Sequence, residues 1–324
     1  MHKRITNFPT SYFGIAVGML SFGLLWKHAS GELKLHEAIA TTIQSAAVFF
    51  WITICALSVR RHLDQPEILN AEIQEPAGRQ LIALFPLSIL LAALTLLPYN
   101  TTWGVGMLWI ALGIQLVLGV LLFGSVWKGN ARKGTLNASF YLPAVSLNLV
   151  SAMACSTLNL HEFAYAFFGA GIFSWLAIES MVLNRAAEPP GLSEIERPLL
   201  GIQMAPPAVA GVSYLTISAG VIDAFVCMLW GYALYQALLT LRLLPWILKQ
   251  KFTPAYWAFS FGGMSLATLT FKLWEQTHSI GILIATIATL LIANVLMLWL
   301  SINTLKLLWQ GQLFPVYPLG EKTR

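Results

Sequence analysis

The sequence predicts an all-α polytopic membrane protein: ten transmembrane helices paired as five helical hairpins, with an inner ring of kinked odd-numbered helices around a central pore. Three observations carry this. Hydrophobic residues make up 57% of the 324-residue chain and charged residues only 10%, against roughly 25% charged in a soluble domain. The connections between apolar runs alternate between very short and moderately long. Four odd-numbered runs hold a helix-breaking residue at a near-constant interval. The breakers are Pro86, Pro143, Pro206 and Gly262, in steps of 57, 63 and 56 residues. Irregular or kinked backbone at membrane depth persists only where protein or a water-filled cavity satisfies it, so breakers at matching places in repeated runs mark a pathway through the bilayer.

The spans are read at 12–26, 38–59, 80–97, 103–126, 142–159, 163–183, 201–219, 222–247, 257–273 and 280–305. Most have the ~17 residues or more that a bilayer crossing needs, too many such runs for a soluble core. The first run carries Gly14 and Gly18 but no breaker in register with the others. The third carries Phe85 and Pro86, the fifth Pro143 with Ser146 and Ser151, the seventh Pro206, and the ninth Phe261, Gly262 and Gly263. Even-numbered runs are more continuously helical. Connections such as 98–102 and 159–162 are short enough to close antiparallel hairpins, whereas 62–78 and 184–198 are longer and charged. Residues 1–324 are read as a single transmembrane channel domain with short cytoplasmic tails at about 1–10 and 310–324. The basic start, Met1 to Arg4, leads into the first run with no small-residue cleavage site, so no cleaved signal is expected.

Basic residues set the orientation. With the N-terminus inside, 16 of the 19 Lys and Arg lie on the inner side, and only Lys27, Lys34 and Lys272 on the outer side. By the positive-inside rule both termini are cytoplasmic, which needs an even number of spans. The net charge of +5 is then a topology signal that favours anionic lipid, and no nucleic-acid partner is implied. Trp26, Trp127, Trp246 and Trp309 at span ends fit interfacial aromatic belts.

Chemistry inside the membrane is sparse. Cys55, Cys155 and Cys227 fall in three separate runs, with no disulfide or metal spacing. All six histidines are read in loops or at span ends, which argues against a redox membrane enzyme. No phosphate loop, zinc spacing or nucleophile elbow occurs, so neither enzyme activity, a cofactor nor a bound metal is expected. Of 14 acidic residues only Glu179 falls well inside a span. A buried carboxylate is a functional-site candidate by default, yet on an outer helix near its cytoplasmic end the expectation is pairing with a basic residue or capping of a kinked helix. Arg242 and Lys272, near the ends of their spans, can snorkel to the interface. A pore without acidic rings does not repel anions, and one without basic rings does not hold them tightly. The expected partners are therefore the lipid bilayer and small inorganic anions, moving through a pore that a hydrophobic side chain can close. Phe261, beside Gly262 and Gly263, is the candidate plug, and Phe85 beside Pro86 is placed similarly.

Stretches along nearly the whole chain carry a family resemblance: Ser11-Tyr12-Phe13-Gly14-Ile15, Phe140-Tyr141-Leu142-Pro143-Ala144-Val145, Phe168-Gly169-Ala170-Gly171, Leu241-Arg242-Leu243-Leu244-Pro245-Trp246 and Trp257-Ala258-Phe259-Ser260-Phe261-Gly262. Together they resemble the family that joins the bacterial tellurite-resistance protein TehA, the plant slow anion channels (SLAC) of guard cells and the yeast malic acid transporters. The resemblance implies quasi-five-fold symmetry around a pore, a homotrimer with one pore per protomer, and a voltage-independent inner-membrane channel for chloride- or nitrate-like anions. It also implies occlusion by a phenylalanine at the position of Phe261, and an association with tellurite resistance. Two positions depart from the pattern: the plant channels have proline where this chain has Gly262, and TehA-like sequences have proline where it has Ala16. The plant channels' long regulatory tails are absent, so their phosphorylation control is not expected. The alternative is a secondary carrier or exporter of tellurite-like oxyanions or C4-dicarboxylates, with Glu179 as the coupling group.

Overall fold

The computed structural model describes residues 8–64, 72–74, 76–127, 137–188 and 191–314. Among them are ten helices of 11 residues or more: α1 (Phe13–Glu32), α2 (Glu37–Asp64), α3 (Leu84–Leu96), α4 (Thr101–Trp127), α5 (Leu147–Thr157), α6 (His161–Ala187), α7 (Ala205–Ile217), α8 (Ala224–Ile247), α9 (Ala258–Thr277) and α10 (Ile280–Trp309). No strand occurs among the described residues. Each odd-numbered helix packs on the even-numbered helix that follows it, so the chain runs as five hairpins. The odd-numbered helices also pack in order, α1 on α3, α3 on α5, α5 on α7, α7 on α9 and α9 back on α1. That order closes on itself.

Burial separates the two sets. The apolar windows of Gly78–Leu96, Ala138–Thr157 and Arg197–Ile217, which contain α3, α5 and α7, are 72%, 89% and 72% buried; those of α2, α4, α6, α8 and α10 are 22–28% buried. Outer helices that face lipid need no partner for their apolar side chains. These eight segments are long and apolar enough to cross a membrane. Helices α1 and α9 are 20 residues each but less apolar, because their last two turns carry Lys27, His28 and Glu32, and Lys272 and Glu275.

The hairpin turns repeat a closure. Leu35 N–H donates to Ser30 O (3.0 Å), Leu160 to Cys155 O (2.8 Å) and Gly220 to Leu215 O (2.7 Å). Left-handed residues make these bonds possible: Lys34 (φ 50°), Asn159 (φ 59°) and Ala219 (φ 53°). Each satisfies a terminal carbonyl that would otherwise lack a partner. His278 (φ 48°) ends α9 in the same backbone region.

The prolines sit at the start of an α-helical stretch, part-way along each span. Pro86 is the third residue of α3 and Pro206 the second of α7. Pro143 lies in a five-residue π-helical segment, Leu142–Ser146, that leads into α5. Proline in a first turn loses no hydrogen bond, because that N–H has no intrahelical acceptor. Short 3₁₀ segments, Thr10–Tyr12, Ala138–Phe140, Arg197–Met204 and Pro254–Trp257, precede α1, α5, α7 and α9. The prolines thus mark the change from a tight lead-in to α-helix. The first repeat has the same device without a breaker in register: Pro9 caps Thr10–Tyr12, and α1 begins at Phe13. The ninth run differs, since α9 is unbroken through Gly262 and Gly263.

Both ends of the described chain meet on one side. The Phe8 ring packs on Tyr12 (4.9 Å between centroids) and on Phe314 (6.1 Å), and the Tyr12 hydroxyl donates to the Leu313 carbonyl. Arg61, 1% exposed at the end of α2, donates to the Phe8 carbonyl and pairs with Glu72 at 3.0 Å. The Thr10 hydroxyl donates to the same carboxylate at 2.6 Å. Removing one partner of a buried pair leaves the other uncompensated, at about 3–5 kcal/mol. Arg61→Ala is therefore expected to lower the thermal midpoint in detergent well below that of Arg61→Lys, which keeps the charge; equal midpoints would show that the cluster contributes nothing.

Candidate functional site

Phe261 sits on a helix, three sides of which are identified by their contacts. Gly263 faces Leu296 of α10, and the Thr286 hydroxyl of α10 donates to the Thr270 carbonyl (3.3 Å). On the α1 side, a Cβ on Gly18 would stand 2.7 Å from the Ser260 Cβ and 2.8 Å from the Trp257 ring. On the α7 side, a Cβ on Gly262 would stand 2.9 Å from the Ala205 nitrogen, and one on Gly211 would stand 2.8 Å from Leu269 Cδ1. At about 100° per residue, Phe261 lies opposite the α10 face and between the α1 and α7 faces. It is directed toward the centre of the closed order of odd helices and is 7% exposed.

The same arithmetic aligns Ser265, Thr268 and Lys272 with Phe261, within about 40° of it. All three are half-buried, although α10 covers the opposite face of the helix. The strip runs from an aromatic ring, through two hydroxyls, to an ammonium group about 16 Å further along the axis.

The backbone on both sides of Phe261 is held by close approach. Glycine at 18 admits Ser260, and glycine at 262 admits Met204 and Ala205, next to Pro206. Membrane helices have little hydrophobic drive to associate, and small residues let backbones pack closely instead. Sequence reasoning assigned Gly262 to a bend; its visible role is this approach to α7. A Gly262→Val substitution must push α9 away from backbone atoms of Ala205, and overpacking of that kind costs about 1–3 kcal/mol. We expect a lowered thermal midpoint for Gly262→Val and little change for Gly113→Val, which has open space in front of it. Equal effects would refute the close-approach account.

The remaining candidates have contacts of their own. Gly14 has only Leu84 Cδ1 near its missing Cβ, at 3.8 Å. Phe85, half-buried, packs edge-on against Phe13 of α1 at 5.2 Å. Pro143 lies in the π-helical segment before α5.

Among the described residues Glu179 has no basic partner and caps no helix, contrary to expectation. Its Oε2 accepts from the Tyr141 hydroxyl (2.6 Å) and the Trp175 indole N–H (2.8 Å). Its Oε1 accepts from the Tyr232 hydroxyl (2.9 Å) and from the amides of Gln203 and Gln236 (3.3 Å each). Tyr141 and Gln203 stand in the lead-ins to α5 and α7, and Tyr232 and Gln236 on α8. An acceptor-only group suits this set: three donors lie at 2.6–2.9 Å, and the two amides at 3.3 Å share what acceptor capacity is left. One carboxylate on an outer helix thus ties two inner lead-ins to the neighbouring outer helix.

Sequence reasoning also missed a cluster at the ends of α1 and α9. It ended the first span at 26 and the ninth at 273, whereas α1 reaches Glu32 and α9 reaches Thr277. His28 and Glu32 are therefore helical, and face Lys272 and Glu275; His28 Nε2 lies 3.0 Å from Glu275 Oε2.

The family model described as SLAC1, voltage-dependent anion channel, matches residues 7–305. The chain belongs to this family. The tellurite resistance protein TehA homolog of Haemophilus influenzae is 30% identical over 310 residues, covering 94% of this chain and 92% of the relative. Two S-type anion channels of Arabidopsis thaliana, SLAH2 and SLAH3, are each 23% identical, over 96% and 89% of this chain. The chain spans 61% and 47% of their lengths. Members of the SLAC1 family carry anions across membranes, and the multiple apolar helices found here fit that class.

Proposed function

We propose that this protein is an anion channel of the bacterial inner membrane, passing small anions such as chloride or nitrate through a pore that Phe261 occludes. Helices α1 and α9 cross the membrane with the eight more apolar segments, giving ten spans. The five hairpins are related by quasi-five-fold symmetry, with the odd helices around the pore. Both termini are cytoplasmic. The protein is a homotrimer with a pore in each protomer, and its conduction is voltage-independent. Association with tellurite resistance follows the Haemophilus influenzae relative.

The observation that carries this reading is the strip on α9. A large apolar ring faces the centre of the helix assembly, with hydroxyls and one cation beyond it and no carboxylate at its level on that helix. A ring at the narrowest point of a weakly polar route stops ions by occlusion and dewetting. The test is anion flux from proteoliposomes holding wild type or Phe261→Ala. A large rise in the variant supports occlusion, and equal flux refutes it.

A carrier of oxyanions or C4-dicarboxylates is the competing reading, favoured by the tellurite-resistance name of the relative and by one carboxylate at membrane depth. The five neutral donors around Glu179 weigh against a coupling role, because a carboxylate that shuttles protons must exchange partners during transport. Flux that depends on a proton gradient and loses that dependence in Glu179→Gln would establish the carrier.

A further inference from the structure

We propose that His28, Glu32, Lys272 and Glu275 form a proton-operated charge filter at the outer mouth of the anion route, admitting small anions when its carboxyls are protonated. The proposal rests on the anion-channel reading, and adds to it a site for external control.

Position is the first argument. Lys272 lies on the same face of α9 as Phe261, three helical turns further out. An anion approaching Phe261 from outside along this face passes the Lys272 ammonium first. Glu275 follows within one turn, on nearly the same line. On α1, Glu32 lies 18 residues, or about five turns, beyond Gly14 and so on the same face as that glycine. The opposite face of α1 is occupied by α2, where Gly23 faces Gln44 and Ala47. The four side chains therefore converge from α1 and α9 toward one mouth. His28 Nε2 stands 3.0 Å from Glu275 Oε2, and its ring lies against Phe271 at 5.4 Å. Glu32 lies within hydrogen-bond reach of Glu275, and both carboxyls act on Lys272.

Charge is the second argument. With both carboxyls ionised and the imidazole neutral, the cluster carries one positive and two negative charges. It then neutralises the cation that would attract an anion. The Glu275 carboxylate beside it makes Glu32 easier to protonate than an isolated carboxyl. Protonation leaves Lys272 as the dominant charge, and protonation of His28 adds to it. The sign at the mouth changes from negative to positive as external pH falls. Such a change of sign along the approach to Phe261 alters the local anion concentration.

Lys34, exposed in the α1–α2 turn, adds a second cation two residues beyond Glu32, and three other ionisable groups near these helix ends have contacts of their own. Lys27 pairs with Glu37 of α2 at 3.1 Å and lies over the Tyr99 ring beyond α3. Asp223 at the start of α8 accepts from Tyr214 of α7. His278, in the turn to α10, packs on Trp274. None of these acts on the four-residue cluster in the way its own members do.

The experiment uses the full-length Phe261→Ala variant, recorded in planar bilayers with chloride, while outer pH is lowered from about 7.5 to about 4.5, across the ordinary carboxyl range. The expected result is an increase in current of about threefold or more, given two charges changed at close range. Adding Glu32→Gln and Glu275→Gln should remove the pH response and give the acid-level current at neutral pH. Adding Lys272→Met should lower current at both pH values. Glu32→Gln alone, at the exposed end of α1, keeps the test available should the double change prevent folding, and should weaken the response by itself. A pH response that survives both glutamine changes, or a Lys272→Met current equal to its parent, overturns the proposal. Absence of any anion current in Phe261→Ala at any pH instead overturns the channel reading beneath it.

Discussion

Phe261→Ala is expected to raise anion conductance by roughly tenfold or more, since each 1.4 kcal/mol removed from a barrier is a factor of ten in rate. An ion meeting a closed hydrophobic constriction must shed water without replacement, and the barrier scales with the apolar surface that fills the gap. Alanine keeps the α9 backbone, and the contacts of Ser260 with Gly18 and of Gly262 with Ala205 are untouched. Phe261→Leu should give an intermediate rise, because it shortens the plug without emptying the position. Thermal stability separates occlusion from ordinary packing. Truncating phenylalanine in a filled core costs about 3–5 kcal/mol, whereas a ring directed into a narrow lumen gives up fewer contacts. High conductance with a modest drop in thermal midpoint supports the plug. A large drop in midpoint without conductance would make Phe261 a core residue and remove the main support for the proposed gating.

The hairpins were legible because hydrophobic runs and short turns are local signals. The side of the bilayer to which each turn belongs was legible as a proposal from basic residues alone. The helix ends of α1 and α9 were not. A charged residue after an apolar run reads as the span leaving the membrane, and nothing local shows that Lys272 and Glu32 continue a helix whose polar face turns toward other helices. The prolines were visible, but their placement in first turns depends on where each 3₁₀ or π-helical lead-in stops, which is set by packing. Gly18 and Gly262 stood out by composition. Their purpose required knowing that Ser260 and Ala205 arrive from 242 and 57 residues away. The partners of Glu179 were hidden for the same reason: Tyr141, Gln203, Tyr232 and Gln236 come from three other parts of the chain, and only Trp175 lies one turn away.

Glu179→Ala is expected to destabilise the protein by roughly 3 kcal/mol or more, because it leaves the Tyr141 and Tyr232 hydroxyls and the Trp175 indole without their acceptor, at about 1–3 kcal/mol each, while the Gln203 and Gln236 amides keep a tyrosine oxygen. The measurement is the thermal midpoint in detergent, with limited proteolysis to locate loosening at residues 138–146 and 197–204, the lead-ins that Glu179 holds. Glu179→Gln tests the assignment more sharply. Both carboxylate oxygens accept at least two hydrogen bonds here, and an amide nitrogen accepts none. The glutamine variant must therefore lose the donors on one side of the group, and a substantial part of the destabilisation should remain. A coupling carboxylate behaves in the opposite way: Glu179→Gln would then fold as well as wild type and lose only its response to a proton gradient. In the structural account, a second change that removes a donor, Tyr232→Phe, should cost less in the Glu179→Ala background than in wild type, since the phenol has already lost its acceptor and keeps only the bond it accepts from the Gln236 amide (3.0 Å). Full additivity of the two changes would show that Tyr232 and Glu179 act independently and would dismantle the network as a stabilising unit.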